Sequence, residues 1–494
     1  MDKETAGKDV KMKVNVGSKA FTMSELADIC GGMLCLAGNQ ADRNITFSSV
    51  CTDSRESEKG SLFVALKGER VDGHNYIGTA LSNGGECILC ERIPDALANE
   101  SYAAVVVDDA LRAVGRLAKA YEKKMASKKV AITGSVGKTT TKEFVAAVLA
   151  ENLRLHKTEG NYNSTLGMPL SLLTMTQDTQ VSVLEMGMSD FGEIEYLSKI
   201  AEPDIAVITN IGSSHMEYLG SRENICHAKL EIVKGLNENG IVFLNGDEPL
   251  LRNRKELEGK NCKYVGFSED CDVRAFNVKL GVGKTIFDVT YNGVTVEGIS
   301  IPIYGEHYVY AALFAFAIAV NMGFDEDIIE RGLNNFRSVG MRQQIFDIGD
   351  ITVVQDCYNA SPESMKASIG VLHNAVRQRG HGRMMALLGD MYELGSVSDS
   401  AHESVGMEFA RRGGAGLFTL GKLASTIADG AVLGGMDSES IYRNLDVGSP
   451  EISGEMIIKA LRPGDILLVK ASRAVKAERV IEYLRANEDR LRYS

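Results

Sequence analysis

A chain of 494 residues allows two to four domains at roughly 100–200 residues each, which excludes a single small binding module. Hydrophobic residues make up 44% and charged residues 24%, with 50 Gly against 8 Pro, so neither a disordered nor a fibrous chain is expected. Acidic residues outnumber basic ones, 66 to 54, for a net charge of −12; this argues against a nucleic-acid binder and leaves room only for a local basic pocket.

Residues 1–19 are charged and lack an apolar core with a small-residue cleavage site, so no secretory leader is read there and a cytoplasmic location is expected. Nine scattered cysteines fit reduced thiols rather than a disulfide framework. Cys87 and Cys90 form a CxxC inside the apolar run 86–90, with no second pair to complete a zinc site, and read as a buried strand. From residue 103 apolar β-rich runs (103–107, 129–133, 181–185, 205–209 and 241–244) alternate with helix-like stretches, the pattern of parallel α/β sheets. The polar run 121–129 reads as the first interdomain connection.

The strand 129–133 leads into Gly134-Ser135-Val136-Gly137-Lys138-Thr139-Thr140 and then a helix-forming run. A glycine loop at a helix N-terminus lets backbone N–H groups approach a polyphosphate. Lys138 supplies positive charge for its β/γ end, and Thr139 or Thr140 can hold Mg²⁺. A second string, Gly281-Val-Gly283-Lys284-Thr285, is followed by a period-two run and reads as a hairpin turn. Glu185 closes a buried strand at the edge where open α/β sheets bind ligands, which suits a Mg²⁺ ligand; Asn210 and His215 end the next strand. Residues 308–320 form an apolar stretch of 13 residues, short of the roughly 20 that cross a bilayer, and read as a buried helix. Between 273 and 303 the pattern is hairpin-like, and from 351 the strand-helix alternation resumes as a Rossmann-like unit. Three domains are expected at 1–125, 126–340 and 341–494.

With these residues in view the chain resembles the Mur ligase family, ATP-dependent amide-forming enzymes of peptidoglycan precursor synthesis. The string Thr133 to Glu143 is similar to the family's ATP loop, which lacks the first Walker glycine, where Ile132 stands here. Asn161-Tyr-Asn163-Ser164-Thr165-Leu-Gly167-Met-Pro169 resembles the NxNNxxGxPL segment, with Ser164 replacing Asn. Glu185-Met-Gly, Gly192-Glu193-Ile194 and Thr209 to His215 resemble the metal-binding region. Ser54-Arg55, Lys67-Gly68 and Asp72-Gly73-His74 resemble the uridine-nucleotide domain. Asp356 to Pro362, the GDMxELG-like string Gly389 to Gly395, and Lys470-Ala471-Ser472-Arg473 resemble the type that adds D-alanyl-D-alanine. One departure stands out: Tyr308 and Ala311 occupy the two Asn positions of GxHNxxNAxAA, of which the second contacts adenine in the family.

The resemblance implies three α/β domains: a uridine-nucleotide domain, a central P-loop-type parallel sheet and a C-terminal Rossmann-like domain. It implies ATP and Mg²⁺ as cofactors, UDP-N-acetylmuramoyl-tripeptide and D-alanyl-D-alanine as substrates, an acyl-phosphate intermediate, and no nucleic-acid or membrane partner; a monomer is expected. Lys138, His215, Lys229 and Arg342 take catalytic roles. The loop 134–140 with Asn210, Tyr308, Arg342, Asp356 and Asn359 holds nucleotide. Thr139, Thr140, Glu185, His215 and Lys229 bind metal, Lys229 being the lysine that several members carbamylate. Ser54, Arg55, Lys67, Gly68, Asp72, His74, Asn161, Asn163, Ser164, Thr165, Asp390, Lys470, Ser472 and Arg473 meet substrate. The alternatives are the preceding ligase of the same pathway, a P-loop switch without amide synthesis, and a weakly catalytic nucleotide binder.

Overall fold

In the computed structural model, residues 13–17, 20–38, 42–68, 70–281, 283–446 and 448–492 are described. They form three principal sheets in chain order. The first has six strands in the order Lys13–Asn15, Ser49–Cys51, Ser61–Val64, Cys87–Cys90, Tyr102–Val106 and Met33–Ala37, the inner four parallel and both edges antiparallel. Cys87–Cys90 is the buried inner strand expected of that run, and all nine cysteines are free thiols.

The second sheet has nine strands: Leu155–Lys157, Val181–Glu185, Lys128–Thr133, Ile205–Ile208, Ile241–Asn245, Asn261–Gly266, then Val273–Gly281, Lys284–Tyr291 and Val294–Ile301. The strands are parallel as far as Val273–Gly281, where two antiparallel hairpins continue the sheet. Lys128–Thr133 is central. The chain leaves it for one side, reaching Leu155–Lys157 and Val181–Glu185, then crosses to the other side at Ile205–Ile208. Strand order therefore reverses at the carboxyl end of Lys128–Thr133, where a crevice opens and ligands bind in such sheets. The look-alike loop at 281–285 is a hairpin reversal with Gly283 at φ +66°, and no helix follows it.

The helix His307–Asn321 is apolar on all sides because it is covered on all sides: the second sheet lies on one face and the helix Lys138–Leu149 on another. The rings of Phe144 and Phe336 stack at 3.7 Å beside it. Residues 121–129 are only partly a connection. Apolar anchoring by Tyr121 extends the helix Ala110–Glu122 into the run, and pairing with Val181 draws Lys128 into the central strand. One continuous apolar core joins the helix Ala110–Glu122 to the underside of the second sheet.

The third sheet runs Gln344–Ile348, Ile351–Gln355, Ile466–Lys470, Met384–Gly389, Gly416–Leu420 and Ile441–Leu445, parallel except for its first pair, with a separate core on each face. No helix among the described residues is long and apolar enough to cross a membrane.

Candidate active site

Two glycines shape the loop between the central strand and its helix. Gly137 has φ +84°. Gly134 has φ +151° and lies so close to Thr209 that a Cβ would come within 1.9 Å of its hydroxyl. The next strand's end braces the loop. Ser135 N–H donates to the Asn210 carbonyl at 3.1 Å and Val136 N–H to Asn210 Oδ1 at 2.9 Å, while Thr209 Oγ1 and Asn210 Nδ2 donate to the Val136 carbonyl at 2.6 and 3.1 Å. Ser135, Val136 and Asn210 line the cavity as well. The amides of Ser135 and Val136 are engaged within the protein, and Asn210 is a brace for the loop. The N–H groups free to meet a phosphate are those of residues 137–140 at the helix's first turn, which have no partner among the described residues.

Lys138 folds back over the loop, donating to the Gly134 carbonyl at 2.7 Å and reaching that of Ser135 at 3.4 Å. Burial lowers its pKa and the charge of Glu185 works against that shift. Glu185, only 2% exposed, accepts from Thr139 Oγ1 at 2.7 Å on one oxygen and from Asn163 Nδ2 at 2.8 Å on the other. The buried Lys142 ammonium stands 3.8 Å from the same carboxylate and donates to the Thr158 carbonyl at 2.6 Å. Asn163 thus orients the carboxylate, and Ser164 accepts from Gly167 N–H as a turn at the start of the next helix. Asn163 also lines the cavity, and the Ser164 hydroxyl keeps its proton to donate. Asn161 and Thr165 lie on the same segment.

Above this floor is a cavity of about 420 Å³ lined by the loop, Glu185, the start of His307–Asn321, and the third domain. The Arg342 guanidinium carbon lies over the Tyr358 ring, 4.0 Å from its centroid. Asp356 accepts from Lys470 Nζ at 2.7 Å and from Ser368 Oγ at 2.6 Å, and Lys470 also donates to the Asn359 carbonyl at 3.0 Å. Lys470 therefore ties the Asp356 and Asn359 loop together. Tyr308 and Ala311 line the cavity with His307.

His215 stands at φ +66° with Nδ1 2.6 Å from Glu393 Oε2 of the third domain; burial lowers its pKa while Glu393 opposes the shift. Lys229 is 1% exposed and makes no hydrogen bond or ion pair among the described residues; burial, then the Lys138 charge, holds its pKa well below the ordinary lysine value.

Neither His215 nor Lys229 lines the cavity itself, and the remaining predicted residues of the first and third domains lie away from it. In the first domain Arg55 Nε donates to the two carboxylate oxygens of Asp53 at 2.9 and 3.0 Å and its Nη2 donates to Oδ2, and the Ser54 carbonyl accepts from Asn83 at 2.8 Å. Lys67 bridges to Asp72, and Gly68 N–H donates to Val71. His74 was expected to meet substrate but is 2% exposed with both nitrogens occupied: Nδ1 lies 2.6 Å from Asp72 Oδ1, and Nε2 accepts from Glu91 N–H at 3.0 Å. It is a buried brace, because a polar ring in a core must satisfy both nitrogens. Asp72 is engaged in turn by His74 and Arg92, which hold its carboxyl below the usual range. In the third domain Asp390 accepts from Ala424 N–H at 2.7 Å, Ser472 Oγ accepts from Tyr392 N–H at 3.3 Å, and Arg473 pairs with Glu478.

Motif reading did not single out Lys142, Glu363 or Glu393. Glu363 accepts from both Ser213 N–H at 3.1 Å and Ser213 Oγ at 2.8 Å across the domain boundary. The available signals were that Lys142 lies inside the Thr133 to Glu143 string and Glu393 inside the Gly389 to Gly395 string.

A braced phosphate loop, a carboxylate beside it and a second domain closing the cavity define a nucleotide-dependent transferase or ligase site. The chain belongs to the Mur ligase family: the family's descriptions "Mur ligase family, catalytic domain", "Mur ligase middle domain" and "Mur ligase, glutamate ligase domain" match residues 46–122, 132–319 and 341–473. It is 38% identical over 474 residues to the UDP-N-acetylmuramoyl-tripeptide–D-alanyl-D-alanine ligase of Bacillus subtilis, covering 94% of this chain and 98% of that one. The enzyme of the same name from Escherichia coli is 31% identical, with 95% and 99% covered. Among solved structures, MurF from Acinetobacter baumannii superposes with a TM-score of 0.85 at 29% identity, covering 95% and 100%. MurF ligase from Thermotoga maritima in complex with ADP gives 0.78 at 31%, covering 89% and 97%.

Proposed function

We propose that this protein is an ATP-dependent, ADP-forming ligase that joins D-alanyl-D-alanine to UDP-N-acetylmuramoyl-tripeptide in cytoplasmic peptidoglycan precursor synthesis. The observation that carries the reading is the braced loop with Thr139 and Glu185 under a cavity shared by the central and C-terminal domains, in a chain whose full-length relatives bear that activity in their names. We divide the chain at 125/126 and 340/341, giving a UDP-substrate domain, an ATP domain and a C-terminal domain, and take one chain as the working unit.

The amides of residues 137–140 and Lys138 hold the β- and γ-phosphates. Arg342, placed over the Tyr358 ring, presents its guanidinium to the transferring phosphoryl group from the opposite wall. Asp356, Asn359 and Lys470 close the C-terminal rim, and Tyr308 lies on the nucleotide side of it. Transfer of the γ-phosphoryl group to the tripeptide carboxylate breaks the phosphoanhydride and forms an acyl phosphate. The dipeptide amine then attacks the carbonyl carbon, phosphate leaves, and the amine proton is lost. Shutting the cavity keeps water from the acyl phosphate.

The donor set suits Mg²⁺. Thr139 Oγ1 and a single carboxylate, Glu185, stand at the phosphate end, and no cluster of three or more His, Cys, Asp or Glu is present among the described residues. This matches a cation that draws most of its shell from phosphates and water. When bound there, with Thr140 beside it, Mg²⁺ supplies charge neutralisation at the phosphates. His215 and Lys229 are assigned to a second such site. The buried Lys229 is held toward the neutral amine, the form able to take up carbon dioxide as a carbamate with loss of a proton.

The acceptor test separates this reading from the preceding ligase. With UDP-N-acetylmuramoyl-tripeptide and ATP, D-alanyl-D-alanine should give a product heavier by one dipeptide residue unit. Extension of a UDP-N-acetylmuramoyl-dipeptide by a single amino acid, with no reaction of the tripeptide, would overturn it.

A further inference from the structure

We propose that Glu393, on the C-terminal domain, is a positioning residue that fixes the ring of His215 on the central domain, so that His215 is correctly presented only when the two domains are seated together. The proposal rests on the ligase reading above.

Three contacts converge on one short stretch. Glu393 Oε2 lies 2.6 Å from His215 Nδ1. The Glu393 carbonyl accepts from Glu217 N–H at 3.1 Å, the backbone of the two domains meeting directly. Gly395, at φ +55°, packs so closely on Glu217 that a Cβ would stand 2.9 Å from its Cα, so the approach requires glycine. On the opposite side of the loop the Glu363 carboxylate takes both the amide and the hydroxyl of Ser213. Residues 213–217 are thus held from the other domain at three points: Ser213 by the Glu363 carboxylate, His215 by the Glu393 carboxylate and Glu217 by the Glu393 carbonyl.

The chemistry at His215 makes the grip consequential. A neutral imidazole carries one proton, and the nitrogen that keeps it is set by the partner of the other nitrogen. The other titratable groups that influence this ring are Lys229 and Lys138, and no hydrogen bond joins either of them to His215 among the described residues. With its carboxylate oxygen 2.6 Å from Nδ1, Glu393 is the acceptor on that side of the ring, which assigns the proton to Nδ1 and the lone pair to Nε2. A carboxylate behind a histidine ligand is the common way to fix such a ring, and its loss costs about ten- to a hundredfold in activity or affinity. Here the carboxylate comes from the other domain, so seating the domain and setting the tautomer are one event.

The test uses the full chain with ADP bound and ¹⁵N-labelled histidine, the His215 signals being assigned from their absence in His215→Gln. The wild type should show the Nδ1–H tautomer and Glu393→Ala the Nε2–H form or an average. Glu393→Gln, whose amide oxygen still accepts, should keep the wild-type pattern. In parallel, Glu393→Ala should lower kcat about tenfold or more while the Kd for ADP stays within about threefold, with Glu393→Gln recovering most of the rate. An unchanged tautomer in Glu393→Ala, an unchanged kcat, or a loss of ADP affinity in parallel with kcat would overturn the proposal. If the wild type itself forms no amide, the ligase reading fails, and the tautomer comparison still decides the role of Glu393.

Discussion

Replacing Lys138 by Ala separates the loop's chemistry from its stability. The ammonium is half-buried and donates only to carbonyls of its own loop, Gly134 at 2.7 Å and Ser135 at 3.4 Å; desolvation already lowers its pKa. Loss of one good bond and one long bond is offset by release of a desolvated charge, so stability should change by no more than about 1 kcal/mol, or less than about 4 °C in Tm. In the transition state the same ammonium makes charge-assisted bonds to phosphate oxygens worth about 1.5–3 kcal/mol each, so two of them correspond to about 3–6 kcal/mol, or a 10²- to 10⁴-fold loss of turnover. Phosphate release in the presence of both substrates measures the rate, and thermal unfolding measures the fold. Turnover within about tenfold of wild type, or a large fall in Tm with turnover lost in proportion, would refute the assignment.

His74→Ala strands the Glu91 N–H and an Asp72 oxygen in the first domain and should cost about 2–3 kcal/mol by denaturant unfolding, with ADP affinity unchanged by calorimetry; weaker ADP binding would contradict its placement away from the cavity. Ala311→Asn adds an amide to the cavity wall at one of the family's Asn positions, and a neutral hydrogen bond gained there should tighten ATP about two- to tenfold; unchanged affinity would mean that Tyr308 or the backbone serves the base instead. Burial pushes the Cys87 and Cys90 thiols up to about 12, so both stay protonated at pH 8, and mass mapping after iodoacetamide treatment should find them unmodified while the native fold persists. Rapid labelling of either would contradict the inner-strand burial.

The features legible in the sequence are those written in consecutive residues. The strand-loop-helix at Lys138, the strand ending in Glu185, the hairpin at 281–285 and the apolar helix His307–Asn321 each carry a local period or a glycine at a place where only glycine fits. Edge strands such as Lys13–Asn15, Gln344–Ile348 and Ile441–Leu445 were not legible, because they are short or half-exposed and take their conformation from a neighbouring strand. The same distinction governs the site. Loop residues could be named from the motif, but whether a polar side chain faces a ligand or braces the protein depends on partners distant in sequence. Asn210 and Val136 are 74 residues apart, Asn163 and Glu185 22 apart, and His74 and Glu91 17 apart. Glu363 and Glu393 were missed for that reason, since their partners Ser213 and His215 lie on another domain.

The central claim is that the cavity couples ATP cleavage to formation of one amide bond. Phosphate release should be measured with ATP, Mg²⁺ and UDP-N-acetylmuramoyl-tripeptide, with and without D-alanyl-D-alanine, and the product identified by mass. Dipeptide-dependent release with one amide formed per phosphate is the predicted result; phosphate released without amide, or no dependence on the dipeptide, would contradict it.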